Sequence, residues 1–196
     1  MGAILDSESG LFVFPSKVDG EFCRKVTTLA GGYWNKAEVE DSESSEKTTV
    51  DSVLRRSEVY WTEDQWIVDY IWPFMTVGNE MTGLNYDIKR VETIQLTRYK
   101  VGDHYDFHVD SYSSHGYKNK YGLVRKLSMT IQLNDDYEGG EFEVCKSIKG
   151  RARKEVLEKS KGTVIVFPSC LEHRVKKVTS GERYSLVAWF LGPPLR

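Results

Sequence analysis

The sequence predicts a mainly β domain, a sandwich or jelly roll, with supporting helices at its N-terminal end. Three observations carry this. From Val91 to Leu191, short runs rich in β-branched and aromatic residues alternate with glycine-containing turns. The two segments with helical spacing precede these runs instead of alternating with them, which disfavours a doubly wound α/β sheet. The chain has 196 residues, 40% of them hydrophobic and 29% charged, which suits a single domain with a substantial core. Within it, residues 1–90 are expected to form a helical support region and residues 91–196 the β core.

"GLFVFP", ending at Pro15, is the first strand candidate. Ser16 can cap a helix with Asp19 in the third position, and Val18, Phe22, Val26 and Leu29 follow at helical spacing before Gly31 and Gly32. "NKAEVEDSESSEKTT" is polar and acidic and reads as a solvated loop, or a docking strip for a basic partner. A second helix is expected from Thr62, with Gln65 completing a capping box and Trp66, Tyr70, Phe74 and Val77 as its apolar face. Pro73 inside that pattern predicts a kink or break. The strands then expected are "VETIQLTRY", "HYDFHVD", "RKLSMTIQLN", "GEFEVCK", "KEVLEK", "TVIVFP", "EHRVKKV" and "RYSLVAWFL".

Lys and Arg number 27 against 29 Asp and Glu, a net charge of −2, and the pI is about 6.1. This is not a chain built as a whole to grip nucleic acid. Cys23, Cys145 and Cys170 are three and widely spaced, which speaks against a disulfide framework or a cysteine zinc site and for a reducing compartment. No apolar run suits a signal peptide or a membrane span, and Asp6 stands where a myristoylation site wants Ser or Thr. The expectation is a soluble, intracellular, cytoplasmic protein without a membrane partner.

"YKVGDHYDFHVDSY", Tyr99 to Tyr112, holds two histidines and three aspartates. On a regular strand His104, Asp106, His108 and Asp110 would all point one way. Either His-x-Asp pair, His104/Asp106 or His108/Asp110, could present an imidazole and a carboxylate to one ion. A third ligand must come from His115, in a polar loop, or from His173, at the start of a later strand with Arg183 ten positions on. Two histidines and a carboxylate on a β scaffold form the facial triad of non-haem Fe(II) oxygenases. Arg183 offers a carboxylate a planar, permanently charged fork.

These residues resemble the 2-oxoglutarate/Fe(II)-dependent dioxygenases, in particular the prolyl 4-hydroxylase-like branch with its bacterial and phage relatives. The matches are Tyr99-x-x-Gly102-x-x-Tyr105-x-x-His108-x-Asp110, "LNDDYEGGEFEV", and "HRVKKVTSGERYSLVAWF". They run from about Val91 to Leu191 and are loose before that. The resemblance implies a double-stranded β-helix (jelly roll) and selects His108, Asp110 and His173 as ligands of Fe(II). It implies 2-oxoglutarate and dioxygen as co-substrates, with ascorbate as an accessory reductant, and Arg183 as the anchor for the distal carboxylate of 2-oxoglutarate. Tyr99 is expected to face the same site. Where many relatives carry a tyrosine that contacts this carboxylate, the chain has Gln132, whose amide can donate in its place.

The activity implied is hydroxylation of a peptide or protein, foremost at a prolyl residue, with decarboxylation of 2-oxoglutarate to succinate and CO2. "SYSSHGYKNKYG", with Tyr112, His115, Tyr117 and Tyr121, is the expected lid or substrate clasp. The alternatives are hydroxylation of a free amino acid or other small molecule, a catalytically silent binding barrel, and a nucleic-acid demethylase, which the acidic pI disfavours. "CKSIKGRARKEVLEKSKG" carries seven basic residues against two glutamates, which suits a solvated hairpin face.

Overall fold

The computed structural model describes residues 2–37, 53–111, 121–148 and 151–194. The chain opens with β1 (Ile4–Asp6), β2 (Leu11–Phe14), α1 (Gly20–Thr28), β3 (Asn35–Lys36), β4 (Arg55–Arg56), β5 (Glu58–Thr62) and α2 (Gln65–Met81). It continues through β6 (Arg90–Val91), β7 (Ile94–Tyr99), β8 (His104–His108), β9 (Val124–Gln132), β10 (Glu138–Gly139) and β11 (Phe142–Ile148). The last elements are β12 (Arg151–Val156), β13 (Val164–Pro168), β14 (His173–Val175), β15 (Val178–Ser180) and β16 (Arg183–Gly192).

A nine-stranded sheet runs in the order β1-β2-β13-β9-β16-β7-β5-β3, with β6 on β16. A five-stranded sheet, β12-β11-β14-β8-β4, faces it, and β10 pairs with β15. The two large sheets form the double-stranded β-helix. Among the described residues no helix is long and apolar enough to cross a membrane.

Strict alternation sorts the large sheet into two faces. Along β9, Leu127, Met129 and Ile131 join the core beneath the helices, with Ile67, Ile71 and Met75 of α2 and Phe22 and Val26 of α1. The intervening Ser128, Thr130 and Gln132 are also buried, on the opposite side, toward the five-stranded sheet. A second core lies there, with Leu11, Val13, Ile165 and Phe167 from one sheet against Phe142, Val144 and Val175 from the other.

The helices depart from expectation at their caps. Asp19, not Ser16, caps α1: its Oδ1 accepts from the Phe22 amide at 2.8 Å, while Ser16 sits at a φ of 48°. Thr62 ends β5, and α2 begins at Gln65 without a side-chain cap. Gln65 instead donates to Asp69 at 2.8 Å, so no capping box forms. The helix continues through the exposed Pro73.

The buried face of α2 is one residue round from the expected stripe: Ile67, Ile71, Met75 and Gly78. Trp66, Tyr70 and Phe74 are half-buried at its flank, where Phe22 stacks on Tyr70 at 3.9 Å, and Val77 is exposed. Gly78 explains the rotation, because a Cβ there would lie 2.9 Å from the Val166 side chain. Gly78→Val is expected to destabilise the fold by about 2–3 kcal/mol through overpacking. Urea denaturation should record this as a lower midpoint at unchanged slope.

Candidate metal centre and anion pocket

β8 and β14 lie side by side in the smaller sheet with His108 opposite His173. Their register slips between the His173 and Val175 positions, and this changes which side chains face inward. Tyr105 pairs with Val175 and His108 with His173, so two residues of β8, Asp106 and Phe107, lie between two inward-facing side chains where regular alternation places one. The simple alternation expected across His104, Asp106, His108 and Asp110 therefore fails. His104 turns outward and shares a hydrogen bond with the Val53 carbonyl at 3.0 Å. Asp106 is exposed, accepts from the Phe107 amide at 2.8 Å and lies 3.7 Å from Arg174.

His108, Asp110 and His173 converge, with one potential ligand atom each and all of these within 4.8 Å of one another. The tautomers follow from the backbone. His108 Nδ1 bonds the Asp106 carbonyl at 2.8 Å and His173 Nδ1 the Leu171 carbonyl at 2.9 Å. A carbonyl only accepts, so each Nδ1 carries the proton and each Nε2 presents a lone pair. Those Nε2 atoms lie 3.7 Å from the two Asp110 oxygens, His108 from Oδ1 and His173 from Oδ2. That is too far for hydrogen bonds and leaves a gap that an ion can bridge. Burial, reinforced by the His173 imidazole, holds the His108 pKa well below its ordinary value. Burial alone would raise Asp110, but the positive charge that the facing imidazoles carry when protonated, together with the Ser128 hydroxyl, outweighs it and holds the carboxyl below its ordinary range.

Asp110 is fixed from several sides. Its amide donates to the Ser169 carbonyl at 2.9 Å, and its own carbonyl accepts from Arg125 at 3.3 Å. Ser128 donates to its carboxylate. The Ser128 hydroxyl proton is thereby used, so Ser169, 3.0 Å away, must be the donor in their contact. Ser128→Ala should weaken divalent-metal affinity about 10- to 100-fold, the usual cost of losing such a support, with little change in fold. Equilibrium titration with Fe(II) under argon measures it.

Tyr105 stacks on the His108 ring at 3.5 Å, and Arg55 of β4 lies over the other ring at 4.6 Å from the Tyr105 centroid. Burial pushes the Tyr105 hydroxyl up to about 12. Arg55 is buried, donates from Nε to Ser57 at 2.9 Å, and leaves Nη2 without a partner.

Arg183 opens β16 directly opposite Tyr99 of β7. It is 1% exposed, and among the described residues no carboxylate pairs with it. Its Nη1 donates to Ser185 at 3.0 Å and Nη2 to the Gln132 side-chain oxygen at 2.9 Å, while Nε has no partner. The Tyr99 ring, itself buried, lies 5.3 Å from the guanidinium. Since Gln132 spends its oxygen on Arg183, its amide nitrogen is held as a donor, and that nitrogen too is buried and unpartnered. A buried cation among idle donors fits an acceptor-only group such as a carboxylate.

Alternate residues of β16 carry this wall on to Trp189, whose buried indole N–H has no partner. Arg125 lies over that ring at 4.0 Å and pairs with Glu92 at 2.6 Å. Trp61, 47% exposed, stands 6.1 Å from Trp189. Among the expected clasp residues, Tyr112, His115 and Tyr117 lie outside the described residues. Tyr121 is exposed, with Arg90 over its ring at 3.9 Å. Sequence reasoning missed Ser128, Arg125, Trp189 and Arg55; the polar alternation of "KLSMTIQ" was a signal for the first.

Several known proteins are similar to this chain. The curated relatives include a PKHD-type hydroxylase of Synechococcus sp. (strain CC9902), 37% identical over 107 residues, which are 52% of this chain and 42% of that protein. Another, from Psychrobacter sp. (strain PRwf-1), is 36% identical over 48% of this chain and 36% of its own. The matches thus span less than half the length of these relatives. Among solved structures, a Pseudomonas putida prolyl-4-hydroxylase superposes with a TM-score of 0.69 at 17% identity, over 95% of this chain and 94% of that one. Likeness at that identity establishes the fold. Residues 94–191, half of the chain, match the sequence family described as the 2OG-Fe(II) oxygenase superfamily, and the His-Asp-His group and the donor-lined pocket fit Fe(II) and 2-oxoglutarate. The chain belongs to the 2OG-Fe(II) oxygenase superfamily.

Proposed function

We propose that the protein hydroxylates a peptide or protein, foremost at a prolyl residue, using Fe(II), 2-oxoglutarate and dioxygen. One observation carries the reading: the His108–Asp110–His173 group lies against Ser128 on the face of β9 whose Gln132 bonds Arg183, a buried cation that no carboxylate of the described residues neutralises. Iron held by His108, Asp110 and His173 would supply the oxidative decarboxylation of 2-oxoglutarate by dioxygen to succinate and CO2, coupled to hydroxylation of a C–H bond.

The chain's own residues bind and orient. His108 and His173 offer Nε2 lone pairs held by their Nδ1–H bonds, and Asp110 offers the charge. Arg183 holds the distal carboxylate of 2-oxoglutarate, Gln132 directs an amide N–H toward it, and Tyr99 closes the pocket beneath. Trp61, exposed beside the buried Trp189, supplies aromatic surface for a substrate chain. A peptide substrate is further supported by likeness to a Trichoplax adhaerens prolyl hydroxylase solved with a hypoxia inducible factor peptide fragment, at a TM-score of 0.70 and 15% identity.

The observation that favours a free amino acid instead is Arg55. Its buried, unpartnered Nη2 beside the Tyr105–His108 stack could take a substrate carboxylate. The deciding assay gives anaerobically iron-loaded protein 2-oxoglutarate and oxygen, with proline-containing peptides in one arm and free amino acids in the other. Succinate together with hydroxylated peptide supports the first reading. Turnover confined to free amino acids sinks it, and absence of any succinate with every substrate sinks both.

A further inference from the structure

We propose that Tyr137 is a direct anchor for the distal carboxylate of 2-oxoglutarate, supplying a hydroxyl donor that position 132 of this chain does not. The inference rests on the co-substrate reading above and names a residue outside it. Tyr137 lies between β9 and β10, and its side chain is 4% exposed with a hydroxyl that has no partner. A buried phenol normally finds one.

Its neighbour is Arg183. A Cβ built on Gly140 would lie 3.1 Å from Arg183 Cδ and 3.2 Å from Tyr137 Cε2, so the two side chains flank the same glycine. Gly140 has a φ of +63° and Gly181 one of +72°. Gly181 presses on the other side of Tyr137, where a Cβ would lie 3.1 Å from its Cα. Lys159 donates to the Tyr137 carbonyl at 3.3 Å and lies 5.1 Å from its ring centre. Two glycines without room for side chains and a lysine on the ring thus fix this tyrosine against the arginine.

Arg183 Nε, Gln132 Nε2 and the Tyr137 hydroxyl make three idle buried donors around one buried cation. A carboxylate offers about four acceptor sites and can satisfy all three together. Gln132, whose oxygen already serves Arg183, adds only its Nε2 to the cradle.

The test compares wild type with Tyr137→Phe, which keeps the ring and its packing. Both are loaded with Fe(II) under argon and titrated calorimetrically with 2-oxoglutarate and with 2-oxopentanoate, which lacks only the distal carboxylate. The expected result is a 2-oxoglutarate Kd raised about 10- to 100-fold by the loss of one hydrogen bond to a charged group. The 2-oxopentanoate and Fe(II) affinities should not change. In turnover the KM for 2-oxoglutarate should rise while kcat at saturation stays the same. Equal 2-oxoglutarate affinity in the two proteins overturns the assignment alone, as does an equal loss for both 2-oxo acids, which marks a packing role. A wild-type protein that binds iron but no 2-oxoglutarate overturns the assignment and the function proposed above together.

Discussion

Asp110→Ala is expected to abolish both Fe(II) retention and succinate formation, while His104→Ala leaves most of each in place. The contrast follows from the bulge in β8. His104 is four residues from His108 and carries the same ring, yet it faces the Val53 carbonyl on the outside of the sheet. Asp110 lies between two Nε2 lone pairs with a backbone amide, an arginine and a serine holding it there. Losing an outer support of a metal ligand costs about 10- to 100-fold, so losing the charged ligand itself should cost at least about 10³-fold. Iron is assayed after anaerobic loading and desalting, and succinate in the same samples. Iron retained by Asp110→Ala and lost by His104→Ala would sink the ligand assignment.

The same bulge marks the limit of what could be read from the sequence. Residues such as Ser128, Thr130 and Gln132 are separated by Leu127, Met129 and Ile131, and a regular strand turns that pattern directly into two faces. Most of the expected strands of the β-rich half were legible for this reason, while "KEVLEK" was placed three residues late, since β12 runs over Arg151–Val156. A bulge leaves no such trace, since it inserts one residue through a local backbone arrangement that many side chains tolerate. Residue chemistry alone therefore left two His-x-Asp pairs open, and only the resemblance, through the spacing from Tyr105, chose between them.

The face of α2 was ambiguous for a different reason. Trp66/Tyr70/Phe74 and Ile67/Ile71/Met75/Gly78 run at the same spacing, one position apart. The larger side chains invited the core assignment, but the sheet takes the narrower stripe because Gly78 permits close approach to Val166. Trp66 and Tyr70 meet Phe22 of α1 instead, and Phe74 meets Phe14 of β2. Arg55 was invisible because its partner strand lies fifty residues further along, a juxtaposition that only the β4–β8 pairing creates.

Arg183→Met should move function and stability in opposite directions. In the free protein the guanidinium is buried without a countercharge, a costly arrangement that burial of an uncharged side chain of similar length relieves. The lost hydrogen bonds to Ser185 and Gln132 offset part of that gain. The net expectation for the metal-free, ligand-free protein is about 1–2 kcal/mol of added stability. That corresponds to a Tm higher by roughly 2–8 °C for a domain of this size. Binding should suffer in proportion, because a buried carboxylate left without its charged partner costs about 2–5 kcal/mol, roughly 30- to several thousand-fold in the 2-oxoglutarate Kd. Scanning calorimetry with and without metal and 2-oxoglutarate reads both effects. Wild type should gain Tm with the ligand, and the variant should start higher and gain nothing. A variant that starts lower and still responds to 2-oxoglutarate would identify Arg183 as a structural residue and move the anchor elsewhere.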